Sequence, residues 1–238
     1  FLYMLKSQSP KAYEYYNKAL AEEERNNNKV GIATVYNNLG YLSRQEGKIS
    51  KAIDYYHKAL KIHLEVDNKL GIATAYNNIA YIFDRQNELK KALEYYTKAL
   101  DMHLQAGNND GAGICYGNMA AILSNFGDPN CKQSTEICKK EGLKIAVNYL
   151  IKSIELHKGG LDKTMTAGSM NHLAGLYDGK GDPYCNLSPE ECEKISQQKA
   201  LELYTTSLKL RQEADDINGL TQSYASIALS AVSIINPL

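Results

Sequence analysis

The sequence predicts an all-α protein of antiparallel helix pairs that stack in series, and two observations support this prediction. Residues 31–70 and residues 71–110 repeat one another without a gap, so equivalent residues lie 40 positions apart. A fixed period of this size is typical of stacked repeat proteins, in which each unit buries its apolar faces against its neighbours. Within one unit, apolar residues recur at helical spacing in two stretches that Gly47 and Lys48 separate. Each unit is therefore predicted to be two helices joined by a short turn.

The two predicted helices of a unit carry small residues where they should cross. Gly40 in the first helix and Ala52 in the second recur as Ala80 and Ala92 in the next unit. Small side chains let two backbones approach closely, and larger neighbours such as Tyr56 fill the space around the crossing. One helix pair cannot bury both of its faces alone, so the units are expected to stack.

The 40-residue register extends along the chain and is interrupted twice. We place the starts of the units near positions 31, 71, 111, 165 and 219. A partial unit occupies residues 1–30, and residues 1–5 are expected to be the end of a first helix. Two insertions, in the regions 128–143 and 182–197, each add 14 residues between paired helices. Because both ends cut through a unit, we expect residues 1–238 to be a single array from a longer protein.

Composition limits the classes of partner. Lysine plus arginine and aspartate plus glutamate each number 27 among 238 residues, so the formal net charge is zero. The sequence shows no basic stripe that could follow a phosphate backbone, and nucleic acid is therefore not an expected partner. Residues 217–238 lack charges but contain Gln222 and four serines and keep the repeat register. We predict that they form a packing helix and do not insert into a membrane.

Several residues of the unit fall at spacings that a known family shares, namely Tyr36, Leu39, Gly40, Ala52, Tyr56 and Ala59. At these positions the chain resembles the tetratricopeptide repeat family. The long period is similar to the long-helix variety found in kinesin light chains, Gα-binding scaffold proteins and many bacterial signalling proteins. This resemblance implies a right-handed superhelical solenoid whose first helices line a concave groove. The Gly-Asp-Pro-x-Cys start of both insertions resembles loops of bacterial repeat-containing sensor kinases and cyclases.

No catalytic constellation is present in the sequence, which lacks a Walker glycine loop, an HExxH motif and a GxSxG motif. Three histidines share one repeat position, and Arg211 continues their column; they are His63, His103 and His157. Equivalent positions on stacked helices lie about 10 Å apart, which is too far for easy sharing of one metal ion. We interpret these histidines as partly buried structural residues. No enzyme activity, no metal site and no cofactor is expected.

The candidate binding site is a stripe of polar side chains on the first helices. In each repeat the second, third and fourth members follow the first by three, seven and ten residues, so all four share one helix face. The first-helix stripe consists of Thr34, Asn37, Tyr41 and Arg44 in one unit and Thr74, Asn77, Tyr81 and Asp84 in the next. Asn171 takes the position of Asn37 in a later unit. The family resemblance implies that these side chains face the groove.

The residue types of the stripe suit peptide recognition. Asparagine offers a donor and an acceptor to an extended backbone, and tyrosine offers a wide contact area. The alternative is that asparagines tie neighbouring helices together, which we prefer for Asn38 and Asn78. A clamp for a carboxylate tail is not expected, because the stripe lacks successive lysines and arginines.

These observations predict a non-enzymatic domain that binds a protein or peptide segment. We expect it to be the input or interaction domain of a bacterial signalling protein. The alternative function is a structural scaffold that self-associates through the incomplete terminal repeats. The two hypotheses differ in the surface that carries the interaction, which is the first-helix stripe in one case and the chain ends in the other.

Each insertion carries two cysteines with six residues between them, Cys131 with Cys138 and Cys185 with Cys192. Three interpretations are open: one disulfide per insertion, a shared zinc site, or free thiols. Structural zinc sites favour two to four residues between paired ligands, so the spacing suits zinc poorly. We favour the disulfides, with Cys115 as a buried free thiol. Disulfides persist in oxidising compartments, so a periplasmic or other extracytoplasmic location is favoured over the cytoplasm.

Overall fold

The structure is a computed structural model that describes residues 2–158, 160 and 162–235, with side chains from residue 10 to residue 232. All regular secondary structure in this part of the chain is α-helical and forms ten helices, which confirms the predicted all-α class. The helices are α1 (Leu2–Arg25), α2 (Lys29–Gln45), α3 (Ile49–Glu65), α4 (Lys69–Arg85), α5 (Leu89–Gln105), α6 (Asn109–Phe126), α7 (Thr135–Lys158), α8 (Lys163–Lys180), α9 (Pro189–Glu213) and α10 (Ile217–Ile235).

The chain divides into two compact units, Phe1–Asn108 and Asn109–Leu238. In the first unit each helix from α1 to α5 packs against the next, and α2 also contacts α4. In the second unit each helix from α6 to α10 packs against the next, and α8 also contacts both α6 and α10. The predicted helix pairs are therefore present. Since the first helices of consecutive pairs lie side by side within a unit, side chains on α2 and α4 can form one surface.

Helix length and turn length explain the period of the first unit. Helices α2 to α5 each have 17 residues, and three-residue connections join them. The middle residue of every connection has a positive φ; these residues are Asn27, Gly47, Asp67, Asn87 and Gly107. The following residue donates back across the turn, as Asn68 N–H does to the carbonyl of His63 at 2.9 Å. This Schellman-type ending satisfies carbonyls of the last turn and stops each helix at an equivalent position.

The first helices of the first unit begin at asparagine caps. The side chains of Asn28 and Asn68 accept hydrogen bonds from the backbone N–H groups of Gly31 and Gly71, both at 3.1 Å. Such a cap satisfies one of the N–H groups that a helix start leaves unpaired. Both helices begin two residues before the unit starts that the sequence pattern suggests.

A core cluster of the first unit lies between α3 and α4, which belong to consecutive helix pairs. Tyr56 is fully buried there, together with Ala52, Leu60, Ile72, Ala75, Ile79 and Ile82. A Cβ atom added to Gly40 would lie 2.6 Å from the Tyr56 ring. The missing side chain at Gly40 therefore makes room for that ring, as the small residues at the predicted crossing suggest.

Both insertions extend the second helix of a pair. Helices α7 and α9 have 24 and 25 residues, and each follows a turn at a glycine with positive φ, Gly127 or Gly181. The order Ser-Pro-Glu-Glu predicts a helix start, and α9 begins there. The Ser188 side chain accepts from the Glu191 N–H, and the Glu191 carboxylate accepts from the Ser188 N–H. This capping box ties the insertion to the first turn of the helix.

The first and the last stretches that the structure describes are also helical. Residues 2–25 form one continuous helix that contains Pro10. The prediction that a first helix ends within residues 1–5 is therefore wrong for residues 2–5, and Phe1 lies outside the described residues. Residues 6–10, Lys-Ser-Gln-Ser-Pro, contain no glycine, asparagine or aspartate, the residue types that supply the left-handed turns after other helices of this chain. Among the described residues, no helix is long and apolar enough to cross a membrane.

Candidate peptide-binding surface

The tyrosines and asparagines of the first-helix stripe lie on α2 and α4 in the first unit. Tyr41 is 52% exposed and Tyr81 is 40% exposed, although both are large aromatic residues. Asn37 and Asn77 are half-buried beside them. The structure thus places these four side chains on adjacent helices, where two of them present open aromatic surface.

Arg44 contacts stripe residues of two consecutive repeats. Its guanidinium carbon lies 5.0 Å from the ring centroid of Tyr41 and 4.5 Å from that of Tyr81. Both distances are within the range of cation–π attraction. The guanidinium therefore contacts aromatic rings from two consecutive first helices.

The side-chain amide groups of Asn37 and Asn77 make no hydrogen bond to any described residue. The Oδ1 atom of each is buried and has no hydrogen-bond partner in the described part of the chain. Neither side chain makes any other hydrogen bond there. Buried polar groups are nearly always paired, so two unpaired amides at the same repeat position require an explanation.

The remaining members of the stripe differ in how much of each side chain is exposed and free to contact a ligand. The hydroxyl groups of Thr34 and Thr74 donate to the carbonyls of Val30 and Leu70 within their own helices, both at 2.9 Å. Their exposed side chains therefore offer a methyl group and an acceptor. Asp84 takes the position of Arg44 in the next unit and is half-buried. Burial raises the pKa of this carboxyl above its ordinary value, and the nearby Arg85 charge partly opposes that effect.

The asparagines next to the stripe do not tie helices together. Asn38 is exposed and Asn78 is half-buried, and neither makes a side-chain hydrogen bond to another described residue. The interpretation that we preferred for this pair, a link between neighbouring helices, is therefore wrong.

In the second unit, the position equivalent to Asn37 and Asn77 is an asparagine only on α8, where it is Asn171. Its amide nitrogen donates to the Ser223 hydroxyl on α10 at 3.4 Å, and its buried Oδ1 has no partner among the described residues. Here a link to the neighbouring first helix exists, in contrast to Asn37 and Asn77. Five of the other stripe positions of α6 and α8 carry small or apolar residues, namely Ile114, Gly117, Ala121, Gly168 and Gly175, and the positions equivalent to Arg44 carry Ser124 and Asp178.

These small residues open a cleft of about 340 Å³ between α6 and α8. A Cβ added to Gly117 or Gly168 would meet no atom within 4 Å. The apolar part of its lining comes from Ile114, Leu150 and Met165. Sequence reasoning did not find this cleft, although glycines at stripe positions were the available signal.

The histidine column is buried. His63, His103 and His157 are 3%, 8% and 3% exposed, more deeply buried than the sequence suggests. Burial lowers the pKa of both His63 and His103 below the ordinary value, which favours neutral imidazoles. Among the described residues, no group of three or more histidine, cysteine, aspartate or glutamate side chains could hold a metal ion.

The paired cysteines lie at disulfide distance. The Cα atoms of Cys131 and Cys138 are 5.5 Å apart, and those of Cys185 and Cys192 are 5.7 Å apart, with both pairs joined as disulfides. Each bridge closes an insertion across the start of the helix that follows. Cys115 is a buried free thiol, and burial raises its pKa to about 12, so this thiol is unreactive.

The fold and this surface define a class of protein, an α-helical repeat array with a partly exposed polar stripe on its first helices. Residues 31–105 match the family model described as tetratricopeptide repeat. The match concerns these residues, which include the first-helix stripe of both repeats. Repeats of this family generally mediate protein–protein interaction.

The fold is also similar to a solved structure, BtubC (BKLC) from P. vanneervenii. The TM-score is 0.62 at 17% sequence identity, and the alignment covers 98% of this chain and 95% of that chain. At this identity the likeness concerns the fold alone. No curated protein sequence matches the chain.

Proposed function

We propose that this chain is a non-enzymatic binding domain that holds an extended peptide segment of a protein partner along the first-helix stripe. The observation that carries the proposal is the pair of unused amides at Asn37 and Asn77. An unsatisfied buried polar group costs about 1–3 kcal/mol, so two of them on one stripe are expensive unless a ligand pairs them. A peptide backbone supplies a carbonyl for the amide nitrogen. It also supplies an N–H for the amide oxygen once the group turns about its Cβ–Cγ bond.

The repeat geometry suits an extended chain. Adjacent packed helices stand about 8–10 Å apart, and an extended peptide advances about 3.3–3.6 Å per residue. About three peptide residues therefore separate the contacts to Asn37 and Asn77. Tyr41, Tyr81 and the guanidinium of Arg44 border the same path and supply contact area and donors.

A role as the input or interaction domain of a bacterial signalling protein, in an extracytoplasmic compartment, is part of the proposal. The resemblance of the Gly-Asp-Pro-x-Cys loops to those of repeat-containing sensor proteins supports the signalling role. The two cysteine pairs at disulfide distance support an oxidising location.

Panning a library of random peptides against the wild-type chain tests peptide binding directly. The selected peptides should bind the Asn37→Ala/Asn77→Ala variant about 5- to 100-fold more weakly, since two hydrogen-bonding amides are worth about 1–3 kcal/mol together. The matched control is Asn38→Ala/Asn78→Ala, which removes the adjacent asparagines outside the stripe. Equal affinity of both variants for every selected peptide would refute the assignment.

Self-association is the second candidate function, and the exposed apolar side chains of α10 favour it. Ile217, Leu229 and Val232 are 77%, 72% and 59% exposed, and a second copy could cover them. Sedimentation of the wild type and of Leu229→Glu tests self-association. A concentration-dependent dimer that Leu229→Glu dissociates supports the scaffold, whereas a monomer at every concentration contradicts it. Leu229 is not part of the first-helix stripe, so this result leaves the peptide test intact.

A further inference from the structure

A cleft of about 440 Å³ lies between the two disulfide-closed loops of the second unit. Both insertions contribute to its walls, together with the last turns of α6 and α8. Three exposed lysines line it, Lys139 and Lys140 on α7 and Lys180 on α8. All of these residues lie outside the first-helix stripe.

The cleft carries a net positive charge because its acidic residue is already paired. The Asp182 carboxylate lies 2.6 Å from the ammonium of Lys199, and its side chain is only 7% exposed. It also accepts a hydrogen bond from the Tyr184 N–H at 2.9 Å. Lys139 and Lys140 form no ion pair with any described residue. Their charges are available to a ligand.

The walls of the cleft are held in place by cross-links. The Lys180 ammonium donates to the Ser124 carbonyl in the last turn of α6. The Tyr184 hydroxyl donates to the Lys144 carbonyl at 3.1 Å, which joins the second loop to α7. The two disulfides close the loops themselves. A site that is ordered before binding loses less conformational entropy when a ligand arrives.

We propose that this basic cleft is a second docking site, which takes an acidic peptide segment. Charge complementarity identifies the ligand, since three lysines line one cleft and two of them, Lys139 and Lys140, form no ion pair with any described residue. Carboxylates suit such a cleft. Leu143 and Pro183 line the same cleft, so apolar side chains between the acidic ones have a place to pack. A phosphate polymer is disfavoured, because its binding needs a basic track along the surface and here the lysines are confined to one cleft.

A labelled glutamate-rich peptide with leucine at intervals, and a matched peptide with glutamine in place of each glutamate, test the proposal by fluorescence anisotropy at low salt. The wild type should bind the first peptide and not the second. Exposed ion pairs contribute about 0.2–1 kcal/mol each, so Lys139→Gln/Lys140→Gln/Lys180→Gln should weaken binding about 3- to 100-fold. The control Lys61→Gln/Lys90→Gln/Lys194→Gln removes the same charge from exposed positions outside the cleft and should bind like the wild type.

Three results overturn the proposal. They are no binding by the wild type, equal weakening in both triple variants, and tighter lysine-dependent binding of a single-stranded oligothymidylate than of the peptide. The last result would assign the cleft to phosphate. The Asn37→Ala/Asn77→Ala variant should bind the glutamate-rich peptide like the wild type. The outcome is therefore independent of the stripe experiment.

Discussion

Arg44 and Tyr81 are joined across two repeats, with the guanidinium carbon 4.5 Å from the ring centroid. They do not occupy equivalent positions, because Tyr81 corresponds to Tyr41 and Arg44 corresponds to Asp84. The contact therefore couples one repeat to the next through the exposed face of the first helices. A ligand that lies along this face meets a guanidinium whose position is already set by two rings.

A double-mutant cycle measures this coupling. Arg44→Gln and Tyr81→Leu should show an interaction free energy of about 0.5–1 kcal/mol in urea unfolding, the usual range for an exposed cation–π pair. Arg25→Gln, on α1, is the control arginine and should be additive with Tyr81→Leu. Additivity of the Arg44 pair as well would mean that the contact contributes nothing to stability.

Gly40→Leu should destabilise the first unit. Its Cβ alone would lie 2.6 Å from the fully buried Tyr56 ring, and the rest of the side chain has no room. Overpacking of this kind costs about 1–3 kcal/mol or more. Chemical denaturation followed by far-ultraviolet circular dichroism measures the loss. An unchanged unfolding midpoint would show that the helix pair can separate at no cost.

Gly117→Ala should stabilise the protein, in contrast to Gly40→Leu. This glycine lies inside α6, and a Cβ atom there meets nothing within 4 Å. Alanine in a helix interior is favoured over glycine by about 0.5–1 kcal/mol, so the free energy of unfolding should rise by that amount. The same denaturation experiment checks it. A loss of stability would mean that the cleft between α6 and α8 closes in solution.

Removing the Cys185–Cys192 bridge by Cys185→Ala/Cys192→Ala should lower stability by about 2–3 kcal/mol, since the bridge closes a short loop. The loss should be local to α8 and α9 in hydrogen exchange. A separate thiol titration of denatured, unreduced protein from its native compartment should find one free thiol, that of Cys115. Five titratable thiols would contradict both the disulfides and the proposed location.

Acidification should destabilise the protein because buried histidines are harder to protonate in the folded state than in the unfolded state. Burial lowers the pKa of His63 and His103 in the folded state, whereas the unfolded chain takes up protons near pH 6.5. The unfolded state then binds more protons, so stability falls as the pH drops below about 6.5, by at most about 1.4 kcal/mol per pH unit for each histidine. Urea midpoints between about pH 7.5 and pH 5.5 test this for the wild type. His63→Gln/His103→Gln should reduce the slope.

Much of the architecture was predictable because the spacing of equivalent residues in a repeated sequence gives the length of the structural repeat. The equal spacing of Tyr56 and Tyr96 requires equal helices and turns, and the duplicated cysteine pairs suggested their own pairing. The periodicity of the sequence shows which residues occupy equivalent positions in successive repeats. It therefore indicated that Asn37 and Asn77 share an environment, and the structure places both amides in the same unpaired state.

The clefts of the second unit were not predictable in the same way. Gly117 and Gly168 were visible as departures from the stripe, but whether a missing side chain leaves open space depends on how closely α6 and α8 approach. The basic cleft depends on contacts between residues 40 or more positions apart, such as Tyr184 with Lys144. Periodicity carries no information on such contacts, because the repeats differ there.

Residues added inside a helix and residues added after the left-handed turn within a helix pair have different effects on this fold. An added residue inside a helix rotates every later side chain by about 100°, which moves the apolar face away from its partner. After Gly127 and Gly181 the chain instead adds 14 residues, and the following helix still returns to its partner. The edge of the array at these turns therefore tolerates added length. Gly47 and Asn87 occupy equivalent turns, so a disulfide-closed loop grafted there should leave the helix register of the first unit intact.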